Sequence, residues 1–185
     1  HVYWKIVNSW HLGVPQERER VYMVAIRDDI PYEFEVPKEM IFGRTTQRDA
    51  IYDLRDKTSK DIKNHNAEFF PYKMYLNYSV NARQTSWDEP AKTVLSHRDA
   101  VLLYPEPKYV KDKVIPRKMT VREHLRLQTV GDDFYFPDSV SLIEQYNRCS
   151  GVPSLVAYKY GIAIADCLLG KTKIRKNTPK RAQRK

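Results

Sequence analysis

Two arginines at alternate positions are the first residues in this sequence that could do chemistry. Arg18 and Arg20 follow Gln16 closely, and a nearly unbroken apolar run comes directly after them. If the backbone is extended here, side chains two residues apart point to the same face, so the two guanidinium groups lie side by side. Paired planar donors suit a carbonyl, carboxylate or phosphate group. The alternative is a solvated strand edge on which Arg and Glu neighbours screen one another.

A second group of candidates has side chains that can donate to base edges and phosphates. Six of them lie in one segment of short β-type pieces: Arg83, Gln84, Ser86, Thr93, His97 and Arg98. Arg117 and Arg122 lie beside a helix start at Val121, which Thr120 and Glu123 predict as a capping box. The segment also fits a solvated β loop, and the two arginines also fit internal braces of a neighbouring loop.

The last long apolar stretch, residues 155–169, predicts a helix that ends at Gly170. Because this helix is apolar around most of its circumference, it must be buried against a larger body. Its N-terminus near Ser150 and Gly151 presents free N–H groups that could hold a carboxylate or phosphate. A helix end capped by Ser150 and nothing more is the other interpretation.

The first part of the chain predicts two strands, residues 2–7 and 20–27, joined as a hairpin. Apolar residues at helical spacing predict a short helix within residues 46–54. The polar residues 55–82 indicate a loop-rich excursion. Two strands alone cannot cover their own faces, so we expect further structure around them.

Composition places the positive charge unevenly. The formal net charge is +9, and the last fifteen residues carry eight Lys and Arg and no acid, which leaves the first 170 residues with about +1. A basic tail of this kind is typical of a disordered or phosphate-contacting segment.

Cysteine usage and hydropathy limit the class of protein further. Cys149 and Cys167 have no metal-ligand spacing, so we predict neither a metal site nor a disulfide framework. We expect a reducing, intracellular setting: the cytoplasm of a bacterium or virus-infected cell, or a eukaryotic nucleus. No apolar run approaches the ~18 residues of a membrane span, so we expect a soluble protein without a membrane partner.

The order of the motifs is more specific than any one of them. Gly-Val-Pro-Gln-x-Arg-x-Arg precedes an apolar strand; Ser-Trp-Asp-Glu-Pro-Ala-x-Thr follows; then come Arg-x-Met-Thr-Val-Arg-Glu-x-x-Arg-Leu-Gln-Thr with Asp-Asp-Phe, and finally Gly-Val-Pro before an apolar helix. Over about residues 2–170 this order resembles the C-terminal half of a DNA (cytosine-5) methyltransferase. In that family the four stretches are motif VIII, the target recognition region, motif IX and motif X.

The resemblance implies an α/β fold. It would hold the terminal strands of a Rossmann-like, S-adenosylmethionine-dependent methyltransferase sheet, a small loop-rich β target recognition domain and a C-terminal helix that returns to the sheet. The implied divisions are residues 1–60 for the strands and first helix, 61–140 for target recognition, 141–170 for the returning helix and 171–185 for a disordered basic tail.

The resemblance also implies a chemistry. The target cytosine is flipped out of the duplex, a cysteine thiolate adds to C6, and C5 takes the methyl group of S-adenosylmethionine. Arg20 would donate to O2 of the cytosine, and Gln16 and Arg18 would hold the site in place. DNA contacts are implied at Arg83, Gln84, Ser86, Thr93, His97, Arg98, Arg117 and Arg122. Cofactor contacts are implied at Ser150, Gly151 and Val152.

This sequence departs from the family pattern in two ways. Motif X usually reads Gly-Asn-Ser/Ala-Val, whereas residues 149–152 read Cys-Ser-Gly-Val. The glycine-rich cofactor loop, the Pro-Cys nucleophile and the Glu-Asn-Val motif, which the family carries upstream of motif VIII, have no equivalent here. We therefore expect this chain to be inactive alone and to need duplex DNA and an N-terminal methyltransferase half as partners. A DNA-binding relative without chemistry, or an RNA-associated protein held by its basic tail, are the rival hypotheses.

Overall fold

The computed structural model describes residues 1–66, 86–96, 102–106, 108–110, 113–115 and 117–176. In chain order these residues form β1 (Val2–Asn8), β2 (Glu19–Ala25), α1 (Gln47–Ile51), β3 (Lys108–Val110), β4 (Lys113–Ile115), α2 (Val121–Leu127), α3 (Leu142–Arg148) and α4 (Ser154–Leu168). Short 3-10 turns lie at Ser9–Leu12 and Tyr52–Leu54. Within the described residues the strands form two antiparallel pairs, β1 with β2 and β3 with β4.

The predicted N-terminal hairpin is confirmed. β1 and β2 pair from Val2 opposite Ala25 to Asn8 opposite Glu19. The turn between them ends at Gly13, whose φ of 90° lies in the left-handed region that glycine adopts without strain. A β-carbon at Gly13 would also come within 3.2 Å of the Met40 sulfur. Glycine therefore lets the chain turn tightly into the stretch that carries the two arginines.

Buried side chains form two clusters. The first, here called the helical core, contains Ile51, Leu54, Trp87, Ala91, Val94, Leu102, Tyr104, Met119, Val121, Leu125, Leu127, Phe136, Tyr146 and Cys149. The second, here called the hairpin core, contains Val7, Leu12, Val14, Ile26, Phe34, Val156, Tyr160 and Cys167. The helical core gathers α1, α2 and α3, whereas the hairpin core lies between one face of the hairpin and α4.

The predicted capping box at the start of α2 is confirmed. The Thr120 hydroxyl accepts a hydrogen bond from the Glu123 N–H at 3.2 Å, and the Glu123 carboxylate accepts one from the Thr120 N–H at 2.7 Å. Thr46 and Asp49 form a second capping box at α1. Both helices therefore begin where local hydrogen bonds satisfy their free N–H groups.

Two segments differ from the sequence-based expectation. α3, capped by Ser141, was not predicted, because its apolar spacing is short and weak. α4 begins at Ser154 and has Pro153 at its N-cap without a side-chain cap, so Ser150 does not cap it. Gly170, with φ of 73°, follows the end of α4 as predicted.

The first residues of the basic segment after α4 make backbone hydrogen bonds to another part of the chain. The Glu33 N–H donates to the Lys173 carbonyl at 2.8 Å, and the Arg175 N–H donates to the Pro31 carbonyl at 2.7 Å. Residues 171–176 therefore pair with the loop that follows β2. Residues 177–185 lie outside the described residues. None of the helices in the described part of the chain has the length and apolar character of a membrane span.

Candidate functional site

The arginine-bearing stretch before β2 pairs in parallel with residues 86–96, here called the recognition segment. The Ala91 N–H donates to the Pro15 carbonyl at 3.0 Å, and the Glu17 N–H donates to the Ala91 carbonyl at 2.8 Å. The Thr93 hydroxyl donates to the Glu17 carbonyl at 2.8 Å. These bonds fix the recognition segment against the start of β2, although the two segments lie more than 70 residues apart in the sequence.

Gln16 joins three parts of the molecule with one buried amide group. Its side chain has no exposed surface. The Val94 N–H donates to its Oε1 at 3.0 Å, and its Nε2 donates to the Leu127 carbonyl at 3.0 Å. These two partners fix the orientation of the amide, because one requires an acceptor and the other a donor. Gln16 thus links the hairpin to the recognition segment and to the end of α2.

Arg18 binds the carbonyl group of the same residue, Val94. Its guanidinium is buried, and Nη1 donates to the Val94 carbonyl at 3.0 Å. Burial lowers the pKa of Arg18, and the like charge of Arg20 lowers that pKa further. An arginine keeps its charge under such shifts because its pKa starts so high. Gln16 and Arg18 therefore bind both backbone groups of Val94, its N–H and its carbonyl.

Arg20 differs from these two residues because it is exposed. Its Nη1 donates to the Glu19 carbonyl at 2.6 Å, which is a local contact within β2. Its positive charge contributes to the lowered pKa of the buried Arg18. The structure therefore buries Gln16 and Arg18 and leaves the Arg20 guanidinium at the surface beside them.

Half of the predicted DNA contacts lie outside the described residues: Arg83, Gln84, His97 and Arg98. Ser86 is exposed at the start of the recognition segment. Thr93 is half-buried and donates its hydroxyl hydrogen to a backbone carbonyl, so only its oxygen lone pairs remain for a further partner.

The predicted DNA contact at Arg117 is corrected by the structure. This guanidinium is 9% exposed and forms a two-bond ion pair with Glu123, at 2.7 and 3.0 Å. It also lies 3.7 Å from the centre of the Tyr104 ring. A phosphate cannot reach a guanidinium whose fork is filled by a fully buried carboxylate. Arg117 braces the start of α2.

The predicted DNA contact at Arg122 is corrected for the same reason. Arg122 is fully buried and donates to three backbone carbonyls: Lys63 at 3.1 Å, Gly131 at 3.1 Å and Phe134 at 2.6 Å. Its nearest carboxylate is Asp132, at 3.4 Å. The guanidinium joins loops on both sides of α2, so the interpretation as an internal brace is the one that the structure supports.

The residues predicted to contact the cofactor lie at an open cavity of about 340 Å³. Gly151, Val152 and Ser154 line it at the start of α4, whereas Ser150 does not. Gln128 also lines this cavity and was not predicted. Its Nε2 donates to the Cys149 carbonyl at 3.1 Å, and its buried Oε1 has no partner within the described structure. Gln128 lies in the Arg-Leu-Gln-Thr stretch, and nothing in that stretch predicted that it would line a cavity.

Neither cysteine has the surroundings of a nucleophile. Cys149 is buried against α2, and burial raises the pKa of its thiol to about 12. Because the thiolate is the reactive form, such a thiol is inert at neutral pH. Cys167 is fully buried in the hairpin core, and its Sγ lies 3.6 Å from the Tyr32 carbonyl. The sequence-based expectation that neither is a nucleophile agrees with this placement.

The chain matches one known protein family over most of its length. Residues 1–165 match the family model described as C-5 cytosine-specific DNA methylase. The chain belongs to this family. Its members among curated proteins include type II methyltransferases from Methanothermobacter thermautotrophicus, Neisseria gonorrhoeae and Fusobacterium nucleatum, at 31%, 30% and 30% identity.

The C-5 cytosine-specific DNA methylases that match are about twice as long as this chain. The alignments cover 74%, 88% and 95% of the chain but 47%, 54% and 58% of the three relatives. The chain therefore spans about half the length of these relatives.

Solved methyltransferase structures share the fold. A methyltransferase of Entamoeba histolytica, EhMeth, aligns at a TM-score of 0.58 and 13% identity, over 92% of this chain and 54% of its own. A DNA modification methyltransferase from an Escherichia coli prophage aligns at 0.59 and 15%, over 92% and 61%. At such low identity these structures show a common fold and no more.

Proposed function

We propose that this chain is the DNA-recognising part of a DNA (cytosine-5) methyltransferase, which transfers a methyl group from S-adenosylmethionine to C5 of a flipped cytosine in duplex DNA. One observation about the three motif residues carries the proposal. Gln16 and Arg18 are buried and bind the N–H and the carbonyl of Val94, while Arg20 is exposed beside them.

Arg20 would donate to O2 of the flipped cytosine. When a nucleophile adds to C6, electron density moves into the ring and onto O2, and a guanidinium placed there stabilises that charge. The nearby charge of Arg18 adds to the positive potential at the same face. An exposed guanidinium with most of its donors at the surface is available for this contact.

Gln16 and Arg18 would act as positioning residues. They bond to the two sides of the Val94 segment, so motif VIII and the recognition segment move as one unit. Precise placement of a reacting base depends on such fixed support, because small displacements of reacting groups reduce rates strongly. A base read by the recognition segment is thereby held at a fixed distance from Arg20.

S-adenosylmethionine would be held partly by Gly151 and Val152, which line the cavity at the start of α4. When bound, the cofactor supplies the electrophilic methyl group. The cavity is open, which suits contact with one side of the cofactor. We propose that the remaining contacts come from the half of the family's length that this chain does not span.

The same missing half would supply the cysteine nucleophile, because both cysteines of this chain are buried and unreactive. The chain alone is then inactive, and its partners are duplex DNA and a polypeptide that carries the nucleophile and the cofactor loop.

The test is methyl transfer to duplex DNA from labelled S-adenosylmethionine. The chain is assayed alone and together with the part of a curated relative that it does not cover. We expect incorporation only in the mixture, or in a fusion of the two parts. Failure of both to label duplex DNA would contradict the proposal.

Variants of the chain assign the roles within that assay. Arg20→Ala should lower the rate about a hundredfold, the usual effect of removing one donor to a developing negative charge. Arg27→Ala is the matched control, because Arg27 is an exposed arginine that pairs only with Asp29. Equal rates for these two variants would remove Arg20 from the site.

A second function, a DNA-binding module without chemistry, is favoured by one observation. The helical core gathers fourteen buried residues of this chain, among the described residues, around α1, α2 and α3. Such a module would bind duplex DNA alone, with an affinity that falls steeply as salt rises. Full DNA affinity in the isolated chain, together with no label in the mixture, would select this function.

A further inference from the structure

The regular pairing of the hairpin ends just before the arginine that binds Val94. Asn8 lies opposite Glu19 in the last pair of the two strands, and the chain then enters the 3-10 turn at Ser9–Leu12. Arg18 precedes Glu19, so it lies beyond this pairing. Its backbone N–H and carbonyl therefore need other partners if the arginine is to keep a fixed position.

Two consecutive residues at the end of β1 supply these partners. The Asn8 Oδ1 accepts a hydrogen bond from the Arg18 N–H at 3.3 Å. The Ser9 hydroxyl donates to the Arg18 carbonyl at 3.2 Å, and the Ser9 N–H donates to the same carbonyl at 2.9 Å. Both backbone groups of Arg18 are thus bound, and two of the three bonds come from side chains.

The side chains of Asn8 and Ser9 do more than stabilise the turn. Asn8 Oδ1 also accepts from the Trp10 N–H at 3.1 Å, which caps the 3-10 turn. Capping explains that bond but not the bond from the Arg18 N–H. Ser9 has no exposed surface, and a buried hydroxyl is unfavourable unless it is hydrogen-bonded. Its bond to the Arg18 carbonyl meets this need.

Ser9 also connects Arg18 to α4. Burial raises the pKa of Tyr22, whereas the charge of Arg18 and a hydrogen bond with the Ser9 side chain lower it. The Tyr22 ring stacks on Tyr160 of α4, with 4.7 Å between ring centres. Tyr22 and Arg20 are alternate residues of β2, so their side chains point to the same face. The support of Arg18 therefore extends to the packed side of α4.

We propose that Asn8 and Ser9 are positioning residues for methyl transfer, because they hold the backbone of Arg18 and with it the start of the strand that carries Arg20. The inference deepens the proposed function and rests on it. Arg18 Nη1 donates to the Val94 carbonyl at 3.0 Å, and Arg20 follows two residues later. A displaced Arg18 backbone would therefore change the distance between the recognition segment and Arg20.

Ser9→Ala is the first test, because it removes the hydroxyl bond to Arg18 and keeps the backbone bond. Methyl transfer to duplex DNA is measured in the mixture of the chain with the uncovered part of a relative. We expect kcat to fall about tenfold and the KM for DNA to stay within about twofold, since a misplaced Arg20 affects the reacting base more than DNA binding.

Thr45→Val is the matched control for this variant. The Thr45 hydroxyl also donates to a backbone carbonyl of the same turn, that of Gly13 at 2.6 Å, but it does not contact Arg18. Valine keeps the volume of threonine and removes the hydrogen bond. We expect kcat of this variant within about twofold of the wild type, because the loss of one hydrogen bond elsewhere in the turn leaves the Arg18 backbone bound.

The Arg20→Ala background separates positioning from a general loss of structure. Without the Arg20 guanidinium, its distance from the recognition segment no longer matters. Adding Ser9→Ala to Arg20→Ala should therefore lower kcat by less than about twofold further, because residues that act through one another are not additive. A merely structural role of Ser9 would lower kcat equally in both backgrounds.

Asn8 is tested in the isolated chain, without any catalytic assay. Asn8→Asp keeps an oxygen that accepts from the Arg18 N–H, whereas Asn8→Leu removes it at similar volume. NMR of the 15N-labelled chain measures hydrogen exchange of this N–H. Exchange should be about fivefold to tenfold faster in Asn8→Leu and unchanged in Asn8→Asp, in line with the loss of one hydrogen bond. In the mixture, Asn8→Asp should also retain the kcat that Asn8→Leu loses.

The outcomes distinguish this inference from the proposed function. Equal kcat values for Ser9→Ala and Thr45→Val, in a mixture whose wild type labels DNA, would overturn the inference and leave the function in place. Equal losses from Ser9→Ala with and without Arg20 would do the same, and so would unchanged exchange of the Arg18 N–H in Asn8→Leu. Faster exchange in Asn8→Leu, with no label from the wild type, would contradict the function and support the fixing of Arg18 by Asn8.

Discussion

The two buried clusters of this protein differ in how completely they are closed. The helical core satisfies even its charged groups internally: Arg122 donates to three backbone carbonyls and Arg117 pairs with the buried Glu123. The hairpin core is covered on one side only. The opposite face of the hairpin, here called the outer face, is exposed at Val2, Trp4, Ile6, Val21 and Met23. Tyr158 and Ile162 of α4, and Leu169 just after it, are exposed apolar residues as well.

This difference shows which part of the chain is a finished unit. The charged groups inside the helical core are paired within it, as Arg117 and Arg122 show. The hairpin and α4 are apolar on both of their faces, which is typical of the middle layers of a larger sheet domain. The recognition segment is fixed to both units through Gln16, so the incomplete unit is held in register with the complete one.

The largest expected effect tests the closure of the helical core. Arg122→Met should lower the free energy of unfolding by about 3–5 kcal/mol, because it removes the three hydrogen bonds that a fully buried guanidinium donates to backbone carbonyls. Urea denaturation measures the change. Arg148→Met is the matched control, since Arg148 is exposed and, among the described residues, its guanidinium pairs with Glu144 one turn away, and should change stability by less than about 0.5 kcal/mol. Equal losses in the two variants would mean that Arg122 is not buried as described.

The second effect tests the same core through pH. His124 is buried, its Nδ1 lies 2.9 Å from the Thr120 carbonyl, and its Nε2 lies 3.4 Å from the Leu102 N–H. These partners suit the neutral ring, and burial lowers the pKa of His124 to about 4. In the unfolded chain the pKa is about 6.5, so only the unfolded state takes up a proton between these values.

Stability should therefore fall as the pH falls from about 6.5 to about 4, by about 1.4 kcal/mol per pH unit from this residue. Above pH 6.5 the contribution is complete. Denaturation curves of the wild type and of His124→Gln between pH 4 and 8 measure it, because the variant lacks the titrating group. Parallel pH dependences would contradict a buried neutral His124.

The third effect tests the link between the two units. Gln16→Leu removes both hydrogen bonds of the side-chain amide, to Val94 and to Leu127, and should lower the free energy of unfolding by about 2–3 kcal/mol. Glu17→Leu is the neighbouring control: the Glu17 carboxylate makes an exposed ion pair with Lys92, and its loss should change stability by less than about 1 kcal/mol. If Gln16→Leu were no more harmful than the control, the two units would not be coupled at this residue.

The sequence predicted those elements whose signal is local. The hairpin, the capping box of α2 and the glycine after α4 follow from side chains within a few residues of one another. The roles of Arg117 and Arg122 do not, because an arginine that binds phosphate and one that binds carbonyls have the same neighbours in sequence. Only the fold brings Lys63 and Phe134 to either side of Arg122.

The sequence likewise predicted only part of the candidate site. Motif order identified Gln16, Arg18 and Arg20, but their division into two buried residues and one exposed residue depends on Val94, more than 70 residues away. Gln128 was missed because nothing near it in the sequence shows that this residue would line the cavity at the start of α4.

The smallest expected effect bears most directly on the open side of the hairpin. Val7 and Val21 lie on adjacent strands, but Val7 is 1% and Val21 58% exposed. Val→Thr replaces a methyl with a hydroxyl at nearly constant volume, so Val7→Thr should cost about 1–2 kcal/mol because the hydroxyl is buried, and Val21→Thr less than about 0.5 kcal/mol. Urea denaturation of the two variants at several protein concentrations measures both. If Val21→Thr cost as much as Val7→Thr, the outer face would already be covered in the isolated chain, and the contrast between a closed and an open unit would fail.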